Sequence, residues 1–138
     1  MITIKKQEIV KLEDVLHLYQ AVGWTNYTHQ PEMLEQALSH SLVIYVALDG
    51  DAVVGLIRLV GDGFSSVFVQ DLIVLPSYQR QGIGSSLMKQ ALGDFKGAYQ
   101  VQLVTDQTER TLGFYRSMGF EILSTYNCIG MTWMNREK

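Results

Sequence analysis

The apolar positions follow two periods along the chain. Ile2-Thr3-Ile4-Lys5 alternates and predicts a short first strand. Leu12, Val15, Tyr19 and Val22 then recur at helical spacing up to Gly23. Trp24 to Gln30 is polar and aromatic without a period, so a loop is expected. Pro31 suits the first turn of a second helix carrying Leu34, Ala37 and Leu38. Leu42 to Leu48 and Ala52 to Val60 read as strands joined across Asp49-Gly50-Asp51, a hairpin turn. After Gly61-Asp62-Gly63, the run Val67 to Leu75 is rich in β-branched and aromatic residues and stops at Pro76, which predicts a central strand buried on both faces. Ile83, Leu87, Ala91 and Phe95 then form an amphipathic helical stripe that Gly97 ends. Tyr99 to Thr105 alternates as a strand, a helix runs from about Glu109 to Gly119, and Phe120 to Tyr126 with Cys128 to Met134 close the sheet as a last hairpin. The order is β-α-α-β-β-β-α-β-α-β-β: an α/β chain with a mixed sheet of about seven strands and helices on both faces.

Composition narrows the function classes without changing this picture. At 138 residues, a single domain over 1–138 is expected. Hydrophobic residues at 47% and charged residues at 18% fit a globular protein, and a net charge of −3 gives no reason to expect nucleic acid as partner. The first fifteen residues lack an uninterrupted apolar core for a signal peptide, and no apolar run approaches the ~18 residues that span a membrane; a soluble, cytoplasmic protein is expected. Cys128 is the only cysteine, read as a small buried residue in a late strand, so no intramolecular disulfide forms. His17, His29 and His40 show no metal-ligand spacing, and no metal is expected.

The candidate chemistry sits between the central strand and the long helix. Gln79-Arg80-Gln81-Gly82-Ile83-Gly84-Ser85-Ser86 places two glycines at a helix start, where the first N–H groups lack intrahelical partners and the dipole end is positive. That is a phosphate cradle; a plain glycine turn between strand and helix is the alternative. A dinucleotide fingerprint fails because Leu87 stands where its third glycine belongs, and a P-loop fails for want of Gly-Lys-Ser/Thr. The stretch resembles motif A of the GCN5-related N-acetyltransferases (GNAT family), Gln/Arg-x-x-Gly-x-Gly/Ala, matched by Gln79, Gly82 and Gly84. Glu109 to Phe120 looks like the family's motif B, ending Phe-Tyr-x-x-x-Gly-Phe, and the order of elements matches that fold along nearly the whole chain.

The resemblance implies acetyl transfer from acetyl-CoA to a primary amine of a small molecule or peptide, by direct attack in a ternary complex. It implies that Gln79 to Ser86, including Arg80, Gln81, Ile83 and Ser85, bind the cofactor's pyrophosphate. The pantetheine arm is expected in a cleft where the central strand and the strand after the long helix splay apart. There the N–H of Leu72 faces the acetyl carbonyl, and backbone groups of Val74, with Ile73 in the same stretch, lie along the arm; all three equally suit core strand positions. Thr108 stands where the family often has Asn, and it caps the helix carrying Phe114 and Tyr115. Tyr115 is the expected general acid: a phenol of pKa about 10 still holds its proton when a thiolate of pKa about 8.5 departs. Asp71 either attracts the amine and relays its proton or is a structural carboxylate bound to backbone N–H groups. The glutamate base of the histone-acetylating branch is absent, since Phe68 takes its place. Trp24, Tyr27 and His29 are expected to line the acceptor pocket. A noncatalytic acyl-CoA-binding module on the same fold is the alternative function, and a homodimer would pair through the last hairpin.

Overall fold

The structure, a computed structural model, describes residues 1–135 and divides into two compact units, Met1–Val104 and a second beginning at Thr105. The first is built on a five-stranded sheet in the order β1-β2-β3-β4-β5. Its strands are β1 (Ile2–Gln7), β2 (Val43–Asp49), β3 (Ala52–Gly61), β4 (Val67–Val74) and β5 (Val101–Leu103). The first four pair antiparallel, and β5 joins β4 in parallel after the crossover helix α4 (Ile83–Asp94). Gly50, at φ 62, makes the tight turn between β2 and β3 that Asp49-Gly50-Asp51 predicted.

Helices cover both faces of this sheet. On one, Val15, Leu18 and Tyr19 of α1 (Leu12–Ala21), Tyr27 of α2 (Thr25–Thr28), and Leu34 and Leu38 of α3 (Pro31–Ser39) pack against Ile44, Val46, Leu56 and Ile73. Each such side chain stabilises the fold by about 1.5–3 kcal/mol. On the other, α4 buries the stripe Ile83, Leu87 and Ala91, with Met88 beside it. Gly55 is what lets it come close, because a Cβ there would meet the Ile73 carbonyl oxygen at 3.0 Å and the Leu87 side chain at 3.4 Å.

One irregularity positions the candidate site. Leu59 is opposite Val69 but Arg58 is opposite Asp71, so Gln70 is an extra residue in β4, a β-bulge. Two hydrogen bonds show the change of parity: the Val67 N–H donates to Gln100 O on the β5 side, whereas the Leu75 N–H donates to Val54 O on the β3 side. An unbroken strand would point both the same way. The bulge also puts Val69 and Asp71 on opposite faces.

The second unit holds α5 (Glu109–Ser117) and a 3-10 turn at Leu123–Tyr126. Thr108 caps α5, its Oγ1 accepting from the Thr111 N–H at 3.1 Å.

Several sequence expectations need correction. Trp24–Gln30 is not a featureless loop, because Thr25–Thr28 closes a helical turn, the His29 N–H donating to Thr25 O. The central strand is not buried on both faces: Gln70 is exposed, and Phe68, Leu72 and Val74 are only half-buried. The sheet has five strands among the described residues, not about seven. In the 120–126 segment the turn-forming residues Ser124, Thr125 and Asn127 win: Asn127 adopts φ 60, and the Cys128 N–H donates back to Leu123 O. Over 128–134 no ladder forms, and Ile129, Met131 and Trp133 are exposed, so β propensity finds no half-buried surface to act on. The hairpin invoked for a homodimer is therefore missing among the described residues, and Cys128 is exposed rather than buried.

Candidate active site

The site begins where β4 outruns β5. Pairing between them stops at Val69 and Leu103, while β4 continues to Val74, so Gln70 to Val74 have no partner from β5. Since the Leu75 N–H faces β3, strand alternation turns the Asp71 and Ile73 amides towards β3 and those of Leu72 and Val74 towards the open edge. Ile73 instead puts its side chain into the core at 1% exposure. The Gln79 side-chain amide donates to Val74 O at 3.0 Å, tying the following loop to the strand end.

That loop passes through a 3-10 turn at Pro76–Tyr78 and takes two left-handed steps, Arg80 at φ 65 and Gly82 at φ 82, before α4 starts. A non-glycine residue in that region is uncommon, and the alternation of backbone direction gathers N–H groups into an anion-binding concavity. The first helical bond is from the Ser86 N–H to Gly82 O at 3.0 Å. The amides of Ile83, Gly84 and Ser85 lie in the turn that helix geometry leaves without intrahelical acceptors. Gln81 and Arg80 are exposed in the same loop, and the Ser86 hydroxyl donates to Gly82 O.

Asp71 lies at the bulge and is 3% exposed, as is Arg58 opposite it. Arg58 Nε donates to Asp71 Oδ2 at 2.8 Å, as does the Tyr19 hydroxyl at 2.8 Å, and the Tyr27 hydroxyl donates to Oδ1 at 3.0 Å. Arg58 also donates to Tyr27 Oη at 3.1 Å and to Ser41 Oγ at 3.2 Å. Burial, and then the Asp71 charge, push both phenols above their ordinary pKa, so they remain donors. Burial works against the Arg58 charge, but Asp71 outweighs it and holds the guanidinium firmly protonated. The carboxylate is thus held by side-chain donors, a structural arrangement different from the backbone N–H donors that such a carboxylate often uses.

The acceptor-pocket candidates separate. Tyr27 is buried, in edge contact with Tyr19 at 5.1 Å between ring centroids; Trp24 is half-buried against the same cluster, and His29 is exposed. Within the second unit, Tyr115 is half-buried between Phe114 and Phe120, at 5.0 and 5.9 Å between centroids. Burial raises its pKa, a hydrogen bond with Thr105 lowers it, and Asp106 raises it, with a net upward shift.

Sequence reasoning missed Arg58 and Tyr19. A signal existed for Arg58: it is the one charge in the apolar strand AVVGLIRLVG, as Asp71 is in VFVQDLIV, and adjacent strands bring such lone charges together. A separate cleft of about 510 Å³, lined by Glu13, Asp14, His17 and Asp51 among others, includes none of the predicted site residues. Among the described residues no cluster of His, Cys, Asp and Glu fits a metal ion, and no helix is long and apolar enough to cross a membrane.

Comparison with known proteins gives a consistent result. The family model described as the acetyltransferase (GNAT) domain matches residues 40–122. A GNAT-family acetyltransferase structure from Streptococcus pneumoniae TIGR4 is 86% identical and superposes with a TM-score of 0.91 over 99% of both chains. The chloroplastic serotonin N-acetyltransferase 2 of Oryza sativa subsp. japonica is 33% identical over 95 residues, 66% of this chain. The chain spans about half the length of that plant protein, 48% of it. The PaiA N-acetyltransferase of Thermoplasma acidophilum, solved with coenzyme A, is 18% identical over 87% of this chain and 91% of its own, with a TM-score of 0.69. It shares the fold.

Proposed function

The chain belongs to the GNAT acetyltransferase family, and from that membership we propose that it binds acetyl-CoA along the open edge of β4 and acetylates a primary amine of a small molecule or peptide. The observation that carries this reading is the early end of β4–β5 pairing, which leaves a row of backbone groups at Leu72 and Val74 facing outward directly before the glycine loop. A pantetheine arm carries amides of matching polarity, and a pyrophosphate needs the N–H groups and positive end of α4.

In this reading Val74 pairs with the arm, and Ile73 supports the strand from the core. Gln79, Arg80, Gln81, Gly82, Ile83, Gly84, Ser85 and Ser86 hold the phosphates, with Arg80 supplying the positive charge. The Leu72 N–H donates to the carbonyl oxygen as a neutral amine attacks, so that negative charge developing there meets a fixed donor. The new C–N bond forms and the C–S bond breaks. Tyr115, kept protonated, gives its proton to the sulfur, and the nitrogen, cationic after its attack, sheds its remaining extra proton through water to the Tyr115 phenolate, which restores the acid; Thr108 caps the helix that carries Phe114 and Tyr115. An alkylamine of pKa near 10.4 must first lose a proton, which costs about 4–5 kcal/mol at pH 7. Water takes it in this reading, because Asp71 is buried and its charge is already paired with Arg58 and hydrogen-bonded by Tyr19 and Tyr27. Trp24 and His29 approach the acceptor, and Tyr27 shapes the wall behind it.

The test is a melting-temperature and thiol-release screen with acetyl-CoA against polyamines, aminoglycosides, amino acids, peptide N-termini and serotonin, the last because the rice relative is named for it. Stabilisation by acetyl-CoA and amine-dependent release of CoA are expected. Stabilisation with no release across the panel would favour a binding module, and no stabilisation would overturn the site.

A further inference from the structure

The buried polar cluster around Asp71 is too costly to be explained by stability. A buried ion pair can generally be replaced by apolar side chains with little loss, so its presence calls for something it specifies. Its location is informative: Arg58 and Asp71 are the first pair after the bulge, and Gln70, the bulged residue, donates to Tyr27 Oη at 3.4 Å.

Without the extra residue, β4 would continue from the Val69–Leu59 pair with Gln70 opposite Arg58 and Asp71 opposite Ile57. The slip would carry Asp71 to the α4 face, away from Arg58, Tyr19 and Tyr27. It would also turn the Leu72 and Val74 amides inward to the β3 ladder and present Asp71 and Ile73 at the open edge instead. The side chains of Leu72, Ile73 and Val74 discriminate poorly between these registers, since all three are apolar and at least one falls on each face either way. The carboxylate discriminates strongly, because the slipped register takes it from its three donors, Arg58, Tyr19 and Tyr27.

We propose that Arg58, Asp71, Tyr19 and Tyr27 form a register lock that holds Gln70 as the extra residue and so aims the Leu72 and Val74 amides at the open edge. Arg58 and Asp71 are then positioning residues for acetyl transfer, acting through the β4 backbone. This role rests on the open edge being the acetyl-CoA site.

The test compares the wild type with two variants: Arg58→Met/Asp71→Leu/Tyr19→Phe/Tyr27→Phe, which makes the cluster apolar, and Tyr19→Phe/Tyr27→Phe, which loosens it while keeping the ion pair. Amide hydrogen exchange from Val67 to Leu75 is read by NMR, alongside kcat and KM. The wild type should show fast exchange at Leu72 and Val74 against slow exchange at Asp71 and Ile73. In the apolar variant that contrast should collapse or invert while kcat falls about 100-fold, the size of effect a misplacement of about 1 Å produces. The tyrosine pair should show a smaller change in the same direction, and it decides the matter by the same contrast if the apolar variant does not fold. Wild-type exchange contrast in the decisive variant overturns the lock, whatever its activity. A lost contrast with undiminished acetyl transfer upholds the lock and overturns the assignment of the open edge.

Discussion

Gly82→Ala separates the stability role of the glycine loop from its binding role. Gly82 opens α4 at φ 82, and nothing lies within 4 Å of where a Cβ would stand. The change therefore creates no clash, and its cost is the backbone strain of an L-residue held in the left-handed region, about 1–2 kcal/mol. For a chain of this length that lowers Tm by about 3–8 °C. The added methyl group faces open space beside the α4 amides; if the loop holds the pyrophosphate as proposed, acetyl-CoA affinity should fall by well over about tenfold, more than 1.4 kcal/mol. The assay is a thermal melt with and without acetyl-CoA: a modest drop in the free protein and a nearly abolished ligand-induced rise. Unchanged ligand stabilisation would refute the phosphate role. Gly61→Ala is the control, because at φ 126 its Cβ would clash with the Ser66 carbonyl oxygen, and it should destabilise the fold far more.

Other outcomes follow from the same geometry. Arg58→Met leaves a buried carboxylate without its counter-ion and should cost about 3–5 kcal/mol in urea unfolding; a loss under about 1 kcal/mol would contradict the buried pair. Tyr115→Phe should keep acetyl-CoA binding while turnover falls about 100-fold. In the wild type the raised Tyr115 pKa keeps the acid protonated through neutral pH, so activity lost to its ionisation should appear only above the ordinary phenol value of 10. Asp62 accepts from the Ser65 hydroxyl and from the N–H groups of Phe64, Ser65 and Ser66, which hold its pKa below the ordinary 3.8. A depressed carboxylate stabilises above its unfolded pKa, so this contribution is lost as pH falls below about 4, and Asp62→Asn should flatten that acid limb of the melting curve.

Local signals in the sequence were sufficient for the hairpin at Asp49-Gly50-Asp51, the α4 stripe and the glycine loop, because each is set by residues close in sequence. The bulge at Gln70 was not legible: it is a property of pairing between β3 and β4, and VFVQDLIV reads as an unbroken strand on its own. The partners of Asp71 come from 13, 44 and 52 residues away in sequence, so no spacing rule announces them. The last predicted strand failed for the converse reason: alternation in 128–134 supplies a strand-like pattern, but a strand exists only with a ladder to join.

The most direct test of the open edge is an NMR titration of the amides from Gln70 to Leu75 with acetyl-CoA. Shifts and exchange protection should concentrate at Leu72 and Val74, with Asp71 and Ile73, already bonded to β3, nearly unmoved. Saturable binding that leaves Leu72 and Val74 as they were in the free protein would contradict the account.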